Sequence, residues 1–253
     1  MIKRICISKE DETALVAAGG SVRTSTHDQS DYSAAVIKKP WGYEYSFVKS
    51  GLSDAWLLSI GQGQRTSMHC HQNKKTSIVL LGGECEVTTF SGKTRLKAGD
   101  GIVIDKGVFH STEALSPSGI FLLETETPVD KKDLVRLKDS YGRAGTAYEG
   151  EKYIRKRDSA VMPSFYEPEY EGKRVALAEC HLSLHDIRDV DHFLNAFSGF
   201  SGDIVVVLEG GVRDGQGNIL FSHADAFHTD ELTSRAGTVS LTGGLKVLYI
   251  KKI

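Results

Sequence analysis

The chain has 253 residues, and its 31 lysine and arginine residues against 33 aspartate and glutamate residues give a formal charge of −2 at pH 7. This near-neutral balance gives no reason to expect nucleic acid or an anionic membrane as a bulk partner. The length can bury a substantial core and fits one large domain or two small ones.

The start of the chain, MIKRICISKEDE, lacks the uninterrupted apolar segment of a secretory signal, and no apolar run approaches the length of a transmembrane helix. We therefore expect a cytoplasmic protein that does not associate with membranes. The four cysteines form no CxxC pair, so neither a disulfide framework nor a zinc knuckle is indicated. Reduced thiols, buried as small apolar side chains, are the expectation for Cys6, Cys70, Cys85 and Cys180.

Residues 1–36 are predicted to form an N-terminal arm. MIKRICIS has the composition of a strand, and Ser8 with Asp11 three residues later predicts a capped helix that ends at Gly19 and Gly20. In the polar remainder, His27 has no partner at metal-ligand spacing. Such an arm can pair with the edge of a sheet, in this molecule or in a neighbour.

Residues 37–145 have the pattern of short apolar runs and turn residues that is typical of an all-β domain. Short apolar runs such as AWLLSI, TSIVLL, CEVTTF and GIVI are divided by Gly, Asp, Lys and Ser, which predicts a sandwich or barrel with hairpin connections. The spacing of the apolar residues changes at DKKDLVRLKDSYGR, and the new spacing predicts a short helix capped by Asp130. From this segment Arg136 and Arg143 could reach a phosphate of the substrate over the barrel mouth.

Three histidines in this domain, His69, His71 and His110, point to a metal site. If residues 67–72 are extended, His69 and His71 lie on one face of a strand and Cys70 points the other way. A closing sheet would bring His110 opposite the pair. Three converging imidazoles predict a site for one divalent ion with open positions, which is the catalytic arrangement. Zinc, manganese, iron, cobalt and nickel are not distinguished by this pattern.

The two histidine-bearing stretches resemble the two sequence motifs of the cupin superfamily. The first motif is matched by the spacing of Gly63, His69, His71 and Gly82, and the second by that of Gly99, Gly107 and His110. KPWGYEY at 39–45 and DLVR with YGR at 133–143 are similar to the segments before and after the C-terminal cupin domain of type II mannose-6-phosphate isomerases. The resemblance covers about residues 38–145, and it implies a metal-dependent enzyme of carbohydrate metabolism.

The chain departs from this resemblance just after the HxH pair. Cupins usually carry a glutamate there as an anionic fourth ligand, whereas this chain has Lys74, Lys75 and Thr76. A charged ammonium has no lone pair to offer a metal. We expect Lys75 to point into the barrel, where burial would lower its pKa and leave a neutral amine able to act as the base. In the other register, Lys75 points outward and Thr76 inward.

We assign two further polar residues near the histidines, Gln72 and Gln64, to the site. Gln72 stands where the isomerases have an arginine directly after the second histidine, and we assign it to the catalytic set with Lys75. Gln64 is assigned to substrate binding together with the two arginines. Three alternatives stay open for the metal: three histidines alone, a shell completed by Gln64, Gln72 or Glu124, or an empty site.

Residues 146–164 are predicted to be a linker, and residues 165–253 a second, degenerate barrel. The segment DIVVVLEGGV in the second half is similar to SIVLLGGECEV in the first, which indicates internal duplication. No HxH pair recurs there, so we expect metal in the first barrel only. HDIRDVDHFLNAF is predicted to be a helix with Ile187, Val190, Leu194 and Phe197 on one face. The expected role of this half is a lid, or a dimer-facing barrel, that covers the first.

The sequence thus predicts an all-β bicupin of two antiparallel jelly-roll barrels, with a single cupin and a β-rich extension as the alternative. Homodimerisation through edge strands is expected for such a fold. The predicted function is metal-dependent isomerase-like or epimerase-like chemistry on a small polar substrate, a sugar or sugar phosphate, in carbohydrate or surface-polysaccharide metabolism. Two alternatives are a three-histidine iron dioxygenase, in which three octahedral positions stay free, and a non-catalytic sugar-binding module.

Overall fold

Strands account for most of the regular structure in this computed structural model, which describes residues 1–19, 31–143, 151–166, 172–197 and 202–253. In the first half they are β1 (Ile2–Ile5), β2 (Ala35–Lys39), β3 (Gly42–Ser50), β4 (Ser53–Ile60), β5 (Met68–Cys70), β6 (Lys75–Gly82), β7 (Glu84–Thr89), β8 (Gly92–Lys97), β9 (Gly101–Ile104), β10 (His110–Ala114), β11 (Ile120–Thr127), β12 (Val135–Lys138) and β13 (Ile154–Lys156). In the second half they are β14 (Val175–Leu177), β15 (Cys180–Ile187), β16 (Ile204–Glu209), β17 (Gly211–Asp214), β18 (Ile219–Ser222), β19 (Ala226–His228), β20 (Val239–Leu241) and β21 (Leu245–Lys252). The helices are α1 (Lys9–Ala17), α2 (Val190–Phe197) and α3 (Thr229–Thr233), with 3₁₀ turns at Glu151–Tyr153 and Ala236–Thr238. The predicted all-β fold class is confirmed.

Two sheets form the first barrel. The larger has the strand order β1-β9-β6-β11-β4-β3-β2-β13, and the smaller has the order β12-β5-β10-β7-β8. Apolar side chains from both sheets, among them Trp56, Leu58 and Leu80 from the larger and Val87 and Leu96 from the smaller, meet in one buried cluster. This arrangement of two facing sheets, antiparallel except for the β1–β9 pair, is the predicted jelly roll.

The second half repeats the strand order of the first. Its five-stranded sheet, β14-β15-β21-β16-β19, follows the order of β3-β4-β11-β6-β9, and its small sheet, β18-β17-β20, follows that of β8-β7-β10. The similar segments SIVLLGGECEV and DIVVVLEGGV occupy the corresponding strand pairs β6–β7 and β16–β17. The main difference is that the predicted helix α2 stands between β15 and β16, where the first half has β5. Among its described residues, the second half therefore has no counterpart of the strand that carries the HxH pair.

The two halves pack back to back. The outward face of the large sheet and the five-stranded sheet of the second half share one apolar cluster, to which Val79 and Leu81 contribute from β6 and Val206 and Leu208 from β16. The expectation that the second half covers the first as a lid is therefore wrong. Because β6 is buried on both faces, its sequence TSIVLL is almost continuously apolar and lacks a strict alternation.

The N-terminal arm pairs within this molecule. β1 runs parallel to β9 at the edge of the large sheet, with Ile2 opposite Gly101 and Ile5 opposite Ile104. The predicted capping box at the start of α1 is confirmed, since the Ser8 hydroxyl accepts from the Asp11 backbone and the Asp11 carboxylate accepts from the Ser8 backbone. The arm residues 20–30, including His27, lie outside the described residues.

The segment after Asp130 is a strand, so the helix predicted there is wrong. Val135 pairs with Cys70 and Arg136 with His69, which makes β12 the edge strand of the smaller sheet. Pairing with β5 gives this backbone its hydrogen-bond partners, and that tertiary gain overrides the local helical period. Within the predicted linker, β13 pairs with β2, and residues 144–150 lie outside the described residues. The domain limits at 145 and 165 stay predictions.

Three of the four cysteines are buried as expected, while Cys6 is exposed. Burial raises the pKa of the Cys70 and Cys85 thiols to about 12 and that of Cys180 to about 11. Among the described residues, the Cys70 sulfur does not belong to the group of potential metal-ligand atoms that the three histidines form. Among the described helices, none combines the length and the apolarity needed to cross a bilayer.

Candidate metal centre and substrate cavity

The fold brings His69, His71 and His110 together. His69 lies on β5 and His110 begins β10, and the two are direct cross-strand partners. Their ring centroids are 4.5 Å apart, and His71 lies 5.1 Å from His69 and 5.8 Å from His110. One nitrogen from each ring lies within 4.8 Å of the others, so the three side chains can share one cation.

Backbone carbonyls set the tautomer of each ring. Nδ1 lies 2.8 Å from the Ser67 oxygen in His69, 2.5 Å from the Asp133 oxygen in His71 and 3.0 Å from the Val108 oxygen in His110. A carbonyl can only accept, so each Nδ1 carries the proton and each Nε2 keeps its lone pair. Hydrogen bonding of one ring nitrogen to such a group is the usual support of a metal-binding histidine.

The environment keeps these imidazoles neutral. Burial lowers the pKa of His69 and His71 well below the usual histidine range, and the positive charges of Lys74 and the neighbouring histidines add to the effect. Burial also lowers the pKa of His110. Neutral imidazole is the form that binds a metal, so no proton has to be displaced at pH 7.

Two carboxylates from β11, Glu124 and Glu126, lie beside the histidines. With His71 they form a second group whose ligand atoms lie within 4.8 Å of one another, and Glu126 Oε1 is 3.6 Å from His71 Nε2. Glu124 was among the alternatives for the metal shell, whereas Glu126 was missed. The signal for both was present, because Leu122, Glu124 and Glu126 alternate along β11 and Leu122 lies in the barrel core.

Buried lysines balance these carboxylates. Lys74 Nζ lies 2.9 Å from Glu126 Oε1, and Lys131 Nζ lies 3.7 Å from Glu126 Oε2 and 3.9 Å from Glu44 Oε1. Burial acts to raise the pKa of Glu126, but Lys131 and Lys74 outweigh it and hold that pKa far below the usual range. By contrast, burial and the charge of Glu126 raise the pKa of Glu124 to about 8. One carboxyl is therefore fixed as an anion, and the other titrates near neutrality.

Both predicted arginines line the cavity next to the histidines, together with Lys39, Trp41, Glu44, Leu58, Ser67, His71, Lys74, Glu124, Glu126, Lys131 and Leu134. Arg143 is held by Asp139 at 2.8 Å. Gln64 is not among these lining residues, and its Oε1 accepts from the Tyr141 hydroxyl at 2.8 Å. The structure thus brings two of the three predicted substrate-binding residues to the cavity.

Lys75 and Gln72 do not take the predicted catalytic positions. Lys75 Nζ lies 2.8 Å from Asp225 Oδ2 and 3.0 Å from Ser222 Oγ, on the face of β6 that meets the second half. Burial lowers its pKa as expected, but its nearest charge is a carboxylate. The inward register is therefore wrong, and Lys74 is the lysine that enters the barrel. Gln72 is not among the residues that line the cavity. Its backbone N–H donates to the Asp133 carboxylate at 2.9 Å.

We expect the Lys75→Glu variant to bind metal with the affinity of the wild type, within about twofold, because residue 75 faces the second half and its charge interacts chiefly with Asp225 rather than with the histidines. The new carboxylate would face Asp225, so the unfolding free energy should fall by about 1–3 kcal/mol. Isothermal titration of the metal-free protein and urea unfolding measure the two effects, with Lys75→Met as the control of similar size. Tighter metal binding in Lys75→Glu would contradict the outward register.

Comparison with known proteins places a cupin domain in the first barrel. Residues 56–124, which include all three histidines and Glu124, match the family model described as "Cupin domain". No curated protein matches the chain. The match concerns the fold and carries no information about the substrate.

Solved structures similar to this chain share little sequence with it. The capsular polysaccharide assembling protein CapF from Staphylococcus aureus is 14% identical at a TM-score of 0.38, over 41% of this chain and 34% of that one. KdgF from Halomonas sp. is 21% identical at a TM-score of 0.35, over 41% of this chain and 90% of that one. A sugar phosphate isomerase of the cupin superfamily from Silicibacter pomeroyi is 14% identical at a TM-score of 0.31, over 33% of this chain and 59% of that one. The match thus spans about a third of the length of the Staphylococcus aureus protein.

Proposed function

We propose that the first barrel binds one divalent metal ion through His69, His71 and His110 and is an enzyme that acts on a small anionic sugar, such as a sugar phosphate. One observation carries this proposal. All three Nδ1–H groups are fixed on backbone carbonyls, which leaves the Nε2 lone pairs for a metal, and one nitrogen of each ring lies within 4.8 Å of one nitrogen of each of the others. In a purely structural cluster of buried imidazoles, the second nitrogen of each ring would also have a hydrogen-bond partner.

The residues present fit a metal ion. The Nε2 atom of His110 is buried and has no hydrogen-bond partner among the described residues, which is costly unless a ligand completes it. Three neutral histidines with a nearby carboxylate are a suitable donor set for zinc, manganese, iron, cobalt or nickel. Such an ion, when bound, polarises a substrate carbonyl or binds vicinal hydroxyls.

The charge of the cavity favours an anionic substrate. Its lining contains five cationic side chains, Lys39, Lys74, Lys131, Arg136 and Arg143, against three carboxylates, Glu44, Glu124 and Glu126. Adding a divalent cation makes the excess of positive charge larger. Arginine can bind a phosphate or carboxylate through two parallel hydrogen bonds, so Arg136 and Arg143 suit the anionic end of the substrate.

Glu124 takes the proton-transfer role that was assigned to Lys75. It lines the same cavity as His71, and before any cation binds, burial and the charge of Glu126 raise its pKa to about 8. A divalent ion beside His71 would lower that pKa and leave the Glu124 carboxylate as the proton acceptor. Sugar isomerases and epimerases that act by proton transfer remove a proton from a carbon next to a carbonyl, and return it to the neighbouring carbon or to the opposite face of the same one. Glu126, held as an anion by Lys74 and Lys131, keeps those two ammonium groups in place.

Metal analysis and a deuterium-exchange assay test this proposal together. After chelation and reloading with zinc, manganese, cobalt, nickel or ferrous iron in turn, we expect one ion per chain. Sugar phosphates incubated with the loaded protein in heavy water should take up deuterium next to the carbonyl, and the Glu124→Gln variant should not catalyse this uptake.

The other outcomes separate the alternatives. Oxygen consumption that requires iron would favour the dioxygenase, and a sugar that binds protein without metal would favour the non-catalytic module. A wild-type protein that retains no ion after reloading would contradict the proposal. Homodimerisation and a cytoplasmic location remain predictions from the sequence.

A further inference from the structure

The N-terminal arm reaches the loop that precedes His110. Asp11 on α1 is almost fully buried, with 1% of its surface exposed. Its Oδ1 accepts from the Phe109 backbone N–H at 2.8 Å, and its Oδ2 accepts from the Ser8 N–H at 2.9 Å and the Ser8 hydroxyl at 2.7 Å. One carboxylate thus joins the cap of the helix to the chain directly before the third histidine.

The peptide group between Val108 and Phe109 connects Asp11 to the imidazole. Its N–H donates to the Asp11 carboxylate, and its carbonyl accepts from His110 Nδ1–H at 3.0 Å. Both bonds belong to one planar unit, so fixing the N–H also fixes the direction of the carbonyl. The contacts run from carboxylate to peptide to imidazole. Because Nδ1 of that imidazole is taken by the Val108 carbonyl, its buried Nε2, which has no hydrogen-bond partner among the described residues, is the atom left to bind a metal with the other two histidines.

The rest of the loop is held from both sides. The Gly107 N–H donates to the carbonyl of His71 at 2.7 Å, and the Asp105 N–H donates to the carbonyl of Ile5 at 3.0 Å. Gly107 has a φ of +79°, and a Cβ at this position would lie 2.7 Å from Ile7 Cδ1. The arm therefore packs so closely on this loop that its placement and the position of His110 depend on each other.

We propose that Asp11 is a positioning residue of the metal centre, acting on His110 through the Val108–Phe109 peptide. This inference rests on the proposed metal site. A charged acceptor on the N–H polarises the peptide and strengthens its carbonyl as an acceptor. A stronger acceptor holds the Nδ1–H tautomer and makes Nε2 a better ligand, in the way that a carboxylate bonded directly to a histidine does in known metal sites.

The test measures cobalt affinity and the His110 tautomer in parallel. We expect Asp11→Ala to bind Co²⁺ about 10- to 100-fold more weakly than the wild type, as for loss of an outer-shell partner. The nearly isosteric Asp11→Asn should lose about 3- to 10-fold, since it keeps an acceptor but not the charge. In the metal-free protein, ¹⁵N NMR of the ring should show that His110 moves from the Nδ1–H form toward a tautomer mixture in Asp11→Ala.

Ser8→Ala is the matched control. It removes the hydroxyl that caps α1 but leaves the bond from Asp11 to Phe109, so cobalt affinity should change by less than about threefold. If Ser8→Ala weakens binding as much as Asp11→Ala, the arm acts only by docking and the inference is overturned. If Asp11→Ala does not fold, Asp11→Asn decides, and wild-type affinity with an unchanged His110 tautomer overturns the inference. A wild type that binds no Co²⁺ refutes the proposed metal site instead, while the tautomer measurement still tests the contact with Asp11.

Discussion

A Glu126→Ala variant is expected to lose about 3–5 kcal/mol of unfolding free energy, the cost typical of breaking a buried ion pair from one side. Glu126 is 2% exposed, and it is the shared partner of Lys74 at 2.9 Å and Lys131 at 3.7 Å. Truncation leaves two buried ammonium groups near each other with less compensation, and removes the anion next to His71. Urea unfolding at pH 7, followed by circular dichroism, measures the loss.

Glu113→Ala is the matched control, because Glu113 is also a strand glutamate but makes its ion pair with Arg65 at the surface. We expect it to cost less than about 1 kcal/mol. The pH dependence has a definite sign. The pKa of Glu126 is held below its ordinary value of 4.5, so its stabilising effect is complete above that pH and diminishes as the pH falls below it. A Glu126→Ala variant as stable as the wild type at pH 7 would show that the buried charges are not coupled.

The strands and the histidine cluster were predictable because their patterns are local. His69 and His71 share a face through the period-two geometry of a strand, and the glycine turn before His110 returns the chain to the same sheet. The repeat of the fold in the second half was visible in two matching segments. Helix α2 was also predictable, but only in part. The predicted segment began too early, because Ile187 ends strand β15, and the buried helical residues are Phe193 and Phe197.

The register of Lys75 was not predictable in the same way. A strand with one buried face shows which side points inward, but β6 is apolar on both faces since it lies between two packed halves. The sequence around Lys74 and Lys75 therefore fits either register. The prediction of a helix in place of β12 failed for a related reason. Its partner strand β5 lies more than sixty residues earlier, and local periodicity carries no information about that pairing.

We expect His71→Ala to lower metal affinity by about 100- to 1000-fold. Structural metal sites bind with about 10–16 kcal/mol shared among their ligands, so one ligand accounts for about 3–4 kcal/mol, and every 1.4 kcal/mol is about tenfold in affinity. His69→Ala and His110→Ala should each have an effect of the same order, since each ring contributes one nitrogen to the same group of potential ligand atoms. Competition with a chromophoric chelator measures affinities over this range.

His185→Ala is the matched control for this experiment. His185 is also a strand histidine whose pKa is lowered by burial, but it lies on β15 of the second half, and its Nε2 lies 2.8 Å from the Ser183 hydroxyl. That nitrogen already has a hydrogen-bond partner. Among the described residues of the second half, no strand corresponds to β5 and its HxH pair. The variant should therefore bind metal as the wild type does. Equal losses in His71→Ala and His185→Ala would mean that the loss reflects general destabilisation. Unchanged affinity in all three triad variants would place the metal, and with it the proposed chemistry, elsewhere in the protein.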